Sequence, residues 1–339
     1  MKMIHVSEAV GSALCHDLTK IVPGKFKGAA FKKGHIIRPE DVEVLLSMGK
    51  EHIYVWEITK GTIHENEAAL RLASAACGGN LTLTEPSEGK VNLISKERGL
   101  LKINMDLLYS LNSIDQIIFA SRHNNTLVNE GDVVAGTRVV PLVIEEDKII
   151  EAEAVLHQDI LVTILPLQSF KVGLITTGNE VFYKRIEDKF GPVVTKKLEA
   201  LGSSVLEQVF VPDDSEKISD TIKSLISKGA EAIVVTGGMS VDPDDVTPYG
   251  IRQTGAEIVT YGLPVLPGAM FLLAYYGDIP IMGLPGCVMY SKASILDLVL
   301  PRILCGERLV RQNLVELSHG GLCLQCPECK YPICPFGKA

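Results

Sequence analysis

In the second half of the chain the run VVTGGMSVDPDD (residues 234–245) carries an apolar stretch onto two glycines. It then sets Asp242, Asp244 and Asp245 within four positions. Glycines let backbone amides turn toward a ligand, and amides so presented attract anions. Carboxylates beside them would repel a bare phosphate. A divalent cation resolves the conflict by bridging the carboxylates to a phosphate or pyrophosphate, and an all-oxygen donor set of this kind suits Mg²⁺. Helix capping needs one acidic residue, not three; the competing account is a solvated acidic turn with a single cap. TTGNE (176–180) and GLPG (283–286) supply two further glycine turns, and Glu180 is a candidate additional carboxylate. Any one of these glycines alone is also what an ordinary strand-to-helix turn uses.

The second concentration of chemistry is CLQCPECKYPICP (323–335), which reads C-x2-C-x2-C-x4-C followed by proline. Cys323, Cys326, Cys329 and Cys334 match the donor count of one tetrahedral Zn²⁺ or one [4Fe–4S] cluster. Zinc sites more often separate two C-x2-C pairs by a longer loop, which favours iron and sulfur; a reduced tail without metal would be an oxidation liability. His319 is an alternative ligand. Cys15, Cys77, Cys287 and Cys305 are scattered.

Short apolar strands alternating with amphipathic helices must position these loops. Strands are expected at 170–178, 204–214, 230–238, 269–277 and 279–286. The segment after Gly178 places Ile186, Phe190, Val193, Val194, Leu198 and Leu201 at helical steps. A second helix carries Ile218, Ile222, Leu225 and Ile226, with Asp213 and Glu216 spaced as a capping box, and a third carries Ile295 to Leu304 before Gly306. This is the pattern of a mostly parallel sheet with helices on both faces, in which ligands bind at the carboxyl ends of the strands. The first 165 residues read as an α+β domain. Helices are expected at 38–49, opened by Pro39 and closed by Gly49, and at 63–79, followed by a hairpin-rich part from 114 onward and a joint at 145–159. The expected organisation is an α+β domain over 1–165, an α/β domain over 166–310 and a Cys-rich tail over 311–339.

With 339 residues, 46% hydrophobic and 22% charged, the chain can bury more than one core. A net charge of −8 excludes a protein built mainly to hold nucleic acid. No run reaches the roughly 20 apolar residues of a membrane span. The start lacks an apolar signal core, so a cytoplasmic protein is expected.

TTGNE, VVTGGMSVDPDD and LPG…GLPG, in that order and spacing, resemble the molybdopterin-binding domain shared by molybdopterin molybdotransferase and molybdopterin adenylyltransferase, over roughly residues 170–305. The resemblance implies an α/β domain that binds molybdopterin or its adenylylated form, with Mg²⁺ and molybdate, or tungstate, as co-substrates. By motif position, Glu180 matches the acidic residue of the family's Thr-Gly-Asp-Glu turn and Asp245 the aspartate after its Gly-Gly-x-Ser segment. Asp245, Asp242 and Glu180 would be catalytic. Thr177, Gly178, Gly237, Gly238 and Ser240 would contact the cofactor, and Pro267 with Gly268 and Pro285 with Gly286 would form the opposite wall. Asn179 departs from the family's usual aspartate. The molybdotransferases' Asp-Gly-Tyr-Ala segment is absent, and residues 26–55 resemble only the entry to their first domain. The stretch after Cys305 is too short for the β-barrel that usually follows. The implied role is cofactor biosynthesis, in a homo-oligomer whose downstream partner is an apo-molybdoenzyme. A non-catalytic carrier or sensor with a redox-active tail and a nucleotide phosphoanhydride hydrolase are the alternatives. His64, Glu65 and Glu67 are a candidate acidic group of the first domain or simply a helix's acidic first turn, and Arg122, His123 and Lys148 are candidate anion contacts or surface residues.

Overall fold

Runs that are apolar at every position, rather than at alternate ones, belong to strands covered on both faces. The computed structural model describes residues 2–22, 26–55, 61–240, 242–243 and 245–338. Six strands, β1 (Lys171–Thr177), β2 (Ser204–Val211), β3 (Ala232–Thr236), β4 (Glu257–Tyr261), β5 (Leu272–Tyr276) and β6 (Ile279–Leu284), form one sheet in the order β2-β1-β3-β6-β5-β4. β2, β1, β3 and β6 are parallel neighbours, and β5 runs against both β6 and β4. The continuous apolar runs become the middle strands β1, β3 and β6, each buried almost throughout.

Because successive side chains point to opposite faces, the sheet feeds two cores. Val172, Leu174, Val234 and Met282 join Phe190, Val194 and Leu198 of α2 (Phe190–Ala200) and the apolar residues of α5 (Ile295–Leu304). Ile175, Ile233, Val235 and Ile281 join Ile218, Ile222 and Leu225 of α3 (Ser215–Ser227) and Ile251 of α4 (Thr247–Gln253). Helices therefore cover both faces, as the pattern predicts.

Several local expectations need correction. The helix expected after Gly178 divides into α1 (Asn179–Phe182) and α2, and Ile186 lies between them, 55% exposed. Asp214, not Asp213, caps α3 by accepting from Glu216 N at 3.1 Å and Lys217 N at 3.2 Å. Strand β4 carries no long apolar run and was not expected. Its pairing with β5 is broken by a bulge between Ile258 and Thr260, and such a strand shows little period-two signal.

Contacts divide the chain into two units: 1–96, 103–122 and 130–163, and 97–102, 123–129 and 164–339. In the first, an antiparallel sheet (Leu81–Leu83, Lys90–Ser95, Val133–Val139, Ile117–Ser121 in spatial order) packs against the helix Glu65–Ala76. Ala68, Ala69, Ala73 and Ala76 bring that helix close to the sheet. The stretch read as a joint is instead the helix Glu146–Leu156, with Ile149, Ala152 and Leu156 buried, and Arg71 grips its Glu153 through two hydrogen bonds of 2.8 and 2.7 Å. A smaller core gathers Leu14, Ile37, Leu45 and Ile53 beside the helix Pro39–Ser47.

His64 and Glu65 are consumed by this first unit. His64 Nδ1 accepts from Asn66 N at 3.1 Å and caps the helix, so Nε2 carries the proton donated to Cys15 O at 2.6 Å. Glu65 is buried in the first turn and Glu67 follows it there. Arg122 pairs with Asp132, and Lys148 with Asp115 and Gln116.

Residues 311–339 cluster with the α/β unit, and Phe336, 2% exposed, sits in its core. Phe336→Ala should lower the denaturant midpoint of the α/β unit by an amount equivalent to about 3–5 kcal/mol, whereas Ile333→Ala, at a side chain 89% exposed, should leave it unchanged. Burial pushes the His64 pKa down. The unfolded chain takes up that proton near pH ~6.5 while folded His64 stays neutral, so the first unit should lose stability as pH falls through that value. Urea midpoints on either side of it should differ less in His64→Asn than in the native chain.

Candidate functional site

The register of the four parallel strands brings their ends to one edge of the sheet. Thr177 lies opposite Val211, Thr176 opposite Thr236, and Thr236 opposite Leu284. The loops beginning at Pro212, Gly178, Gly237 and Pro285 therefore leave side by side. β5 enters at the same edge, Leu272 opposite Gly283, which brings in the turn containing Pro267 and Gly268. The predicted TTGNE, GGMS and GLPG loops thus converge.

Buried hydroxyls stitch the strand ends together. Thr177 Oγ1 donates to Thr236 O at 3.2 Å and lies 3.1 Å from Thr247 Oγ1, at the start of α4. Thr177 is thus turned inward, supporting the loops from beneath. A Cβ at Gly237 (φ 89°) would overlap the Thr177 carbonyl oxygen, and one at Gly238 (φ 55°) would lie 2.7 Å from Thr247 Oγ1. Both positions combine positive φ with a close approach, which only glycine meets. Gly268 (φ 134°) combines the same two constraints: a Cβ there would strike Ile295, whose amide donates to Pro267 O at 3.2 Å. Around Gly286 there is open space, and the residue is exposed above buried Pro285.

The acidic loop builds itself with its own carboxylate. Asp245 Oδ2 accepts from Ser240 N at 2.9 Å, and Asp245 N donates to Asp242 O at 2.9 Å. Ser240, Asp242 and Glu180 are exposed at this edge, and the Glu180 carboxylate folds back beside Gly178. Asp244 lies outside the described residues. Among the described residues no three of His, Cys, Asp and Glu are grouped to hold a metal ion. Mg²⁺, however, commonly takes one or two carboxylates together with substrate phosphates, and Asp242 and Asp245 fit that lesser requirement.

Two supporting residues escaped the sequence. Asp213 Oδ2 accepts from Asn179 N at 2.9 Å and so ties the loop after β2 to the TTGNE turn. The Asp213-Asp214 pair signalled a cap, but not that each residue holds a different loop. Tyr261, at the end of β4, donates through its hydroxyl to Met239 O at 3.1 Å. Its pKa is raised by burial and then by the charge of Asp245. No sequence signal marks Tyr261, because the strand that carries it was not visible.

The tail returns to this edge. Leu266 N donates to Gly321 O and Cys323 N to Leu266 O, both at 2.8 Å, and Tyr331 Oη donates to Asp297 O at 3.0 Å. Burial, with Asp297 next in weight, pushes the Tyr331 phenol well above its usual range. Cys323, Cys326, Cys329 and Cys334 all line one cavity of about 360 Å³, walled on the other side by Pro267 and Tyr290. His319 is not among its lining residues.

Residues 173–304 match a family model described as "Probable molybdopterin binding domain", and residues 3–57 match one described only as a domain of unknown function. The molybdopterin adenylyltransferase of Pyrococcus furiosus is 30% identical over 95 residues, 28% of this chain and 56% of that protein. A CinA-like protein of Mycobacterium sp. (strain JLS) is 30% identical over 92 residues, 27% of this chain and 22% of that protein. The chain thus spans about half the length of the first relative and about a fifth of the second. The crystal structure of the tungsten cofactor synthesizing protein MoaB from Pyrococcus furiosus aligns at 22% identity with a TM-score of 0.34, covering 42% of this chain and 98% of that one. On the family model and on the ordered loops, residues 173–304 of the α/β unit thus match the family described as a probable molybdopterin binding domain.

Proposed function

We propose that this chain acts in molybdenum cofactor biosynthesis by binding molybdopterin, or its adenylylated form, across the strand ends and transferring molybdate to it. The observation that carries the reading is the register of β1, β3 and β6, which sets Gly178, Gly237–Gly238 and Pro285–Gly286 along one edge. Backbone at Gly237 and Gly238 with the Ser240 hydroxyl takes the phosphate, and the open face at Gly286 admits the ring system. Pro267 and Pro285 wall the site. Asp242 and Asp245 would hold Mg²⁺, which when bound neutralises charge between the carboxylates and the phosphate. Glu180 faces the same ligand from the neighbouring loop. Asn179 in place of the family's aspartate removes one negative charge, so Mg²⁺ affinity depends more heavily on Asp242 and Asp245.

The chain's eight cysteines are free thiols in the structure, which fits a reducing cytoplasm. Among the described residues no helix is long and apolar enough to cross a membrane. The tail adds a metal site to this function, and an apo-molybdoenzyme is the natural recipient of the finished cofactor. One observation favours a second reading: similarity to the CinA-like proteins is as strong, residue for residue, as similarity to the adenylyltransferase. Hydrolysis of a nucleotide phosphoanhydride would use the same two aspartates and Mg²⁺. Binding without turnover of either substrate class would instead assign a carrier.

Titration of the full chain with molybdopterin and its adenylylated form, each with and without Mg²⁺ and molybdate, checks these readings. Gly286→Phe should weaken pterin binding at least about tenfold, about 1.4 kcal/mol, with the thermal midpoint unchanged. Asp242→Asn should abolish the Mg²⁺ dependence while leaving metal-free binding intact. Unchanged affinity in Gly286→Phe would remove the ligand from these strand ends, and Mg²⁺-dependent cleavage of dinucleotides without pterin binding would establish the hydrolase.

A further inference from the structure

The four cysteines of the tail sit on a loop that is closed at its base without their help. Gly337 N donates to Gly320 O at 2.9 Å, Cys323 is strung onto Leu266, Tyr331 is tied to Asp297, and Phe336 is anchored in the core. The intervening residues arch over Pro267 and residues 290–293 and enclose the cavity of about 360 Å³. All four cysteines line this one space, and none is spent in a disulfide.

The size of that space bears on its occupant. A tetrahedral Zn²⁺ with Zn–S bonds of about 2.3 Å needs its sulfurs about 3.8 Å apart, drawn onto a single point. The four cysteines line a void of about 360 Å³, far larger than one water, whose share of liquid volume is about 30 Å³. Four cysteines lining a roomy, partly enclosed space suit a polynuclear inorganic core, in which each sulfur binds a different metal atom. Gln325 N already lies 3.5 Å from Cys323 Sγ, the kind of amide-to-sulfur contact that tunes such clusters. Lys292 lines the cavity and supplies positive charge beside what would be an anionic assembly.

We infer that this cavity is the seat of a four-iron, four-sulfide cluster ligated by Cys323, Cys326, Cys329 and Cys334. The inference stands on the tail's own geometry and goes beyond the cofactor reading, so pterin binding and cluster binding succeed or fail separately. The full chain, stripped with chelator and reconstituted without oxygen from ferric iron, sulfide and a thiol reductant that reduces part of the iron, should take up about four iron and four sulfide per chain with a broad visible absorption band. Cys326→Ser, at an exposed position, should lose most of that uptake while its far-ultraviolet dichroism stays native. Cys77→Ala, a thiol outside the tail, should retain it. Stoichiometric zinc that excludes iron, iron uptake equal in Cys326→Ser and the native chain, or no metal uptake at all would each overturn the inference.

Discussion

The edge where the glycine loops converge rests on the approach of two backbones, where the carbonyl of Thr177 at the end of β1 fills the space that a side chain on Gly237 would occupy. Parallel strands alone would bring the loops near one another. This contact, with the Thr177 and Thr247 hydroxyls locked beneath it, sets their separation. The two-glycine turn therefore answers first to packing between loops. Presentation of amides to an anion follows from the same geometry.

Acidic residues at this edge divide their labour. Asp214 caps α3, Asp213 holds Asn179, and one oxygen of Asp245 holds Ser240. Carboxylates that accept from backbone amides are held in place at little cost, because such charge-assisted bonds are stronger than neutral ones. The apparent excess of negative charge in the sequence is thus largely structural. Carboxylate oxygens not engaged by these amides include those of Asp242 and Glu180 and the other oxygen of Asp245.

What could be read from the chain was whatever has a local cause. Continuous apolar runs announced β1, β3 and β6, and glycine turns after them announced the loops. Pro39 and Gly49 bracketed their helix. The illegible parts depend on partners distant in sequence. β4 is held by β5 rather than by its own pattern, and Tyr261 matters only because Met239 comes to meet it. Thr177 reads as a ligand contact until the pleat turns it inward. The tail's return to Leu266 and the burial of Phe336 are tertiary facts with no local signature. The misplaced cap at Asp213 came from two adjacent aspartates, between which spacing cannot choose.

The hairpin between β5 and β6 turns at Gly277 and Asp278, the latter fully open to solvent. Leu272 and Gly283, its other end, lie at the edge where the glycine loops converge. At about 3.3 Å of rise per strand residue, that separates the turn from the loops by about 17 Å. The sheet therefore offers an attachment point on the side remote from both glycine loops and cysteines. A dye or surface linker joined there would sit about 17 Å along the hairpin from the glycine loops.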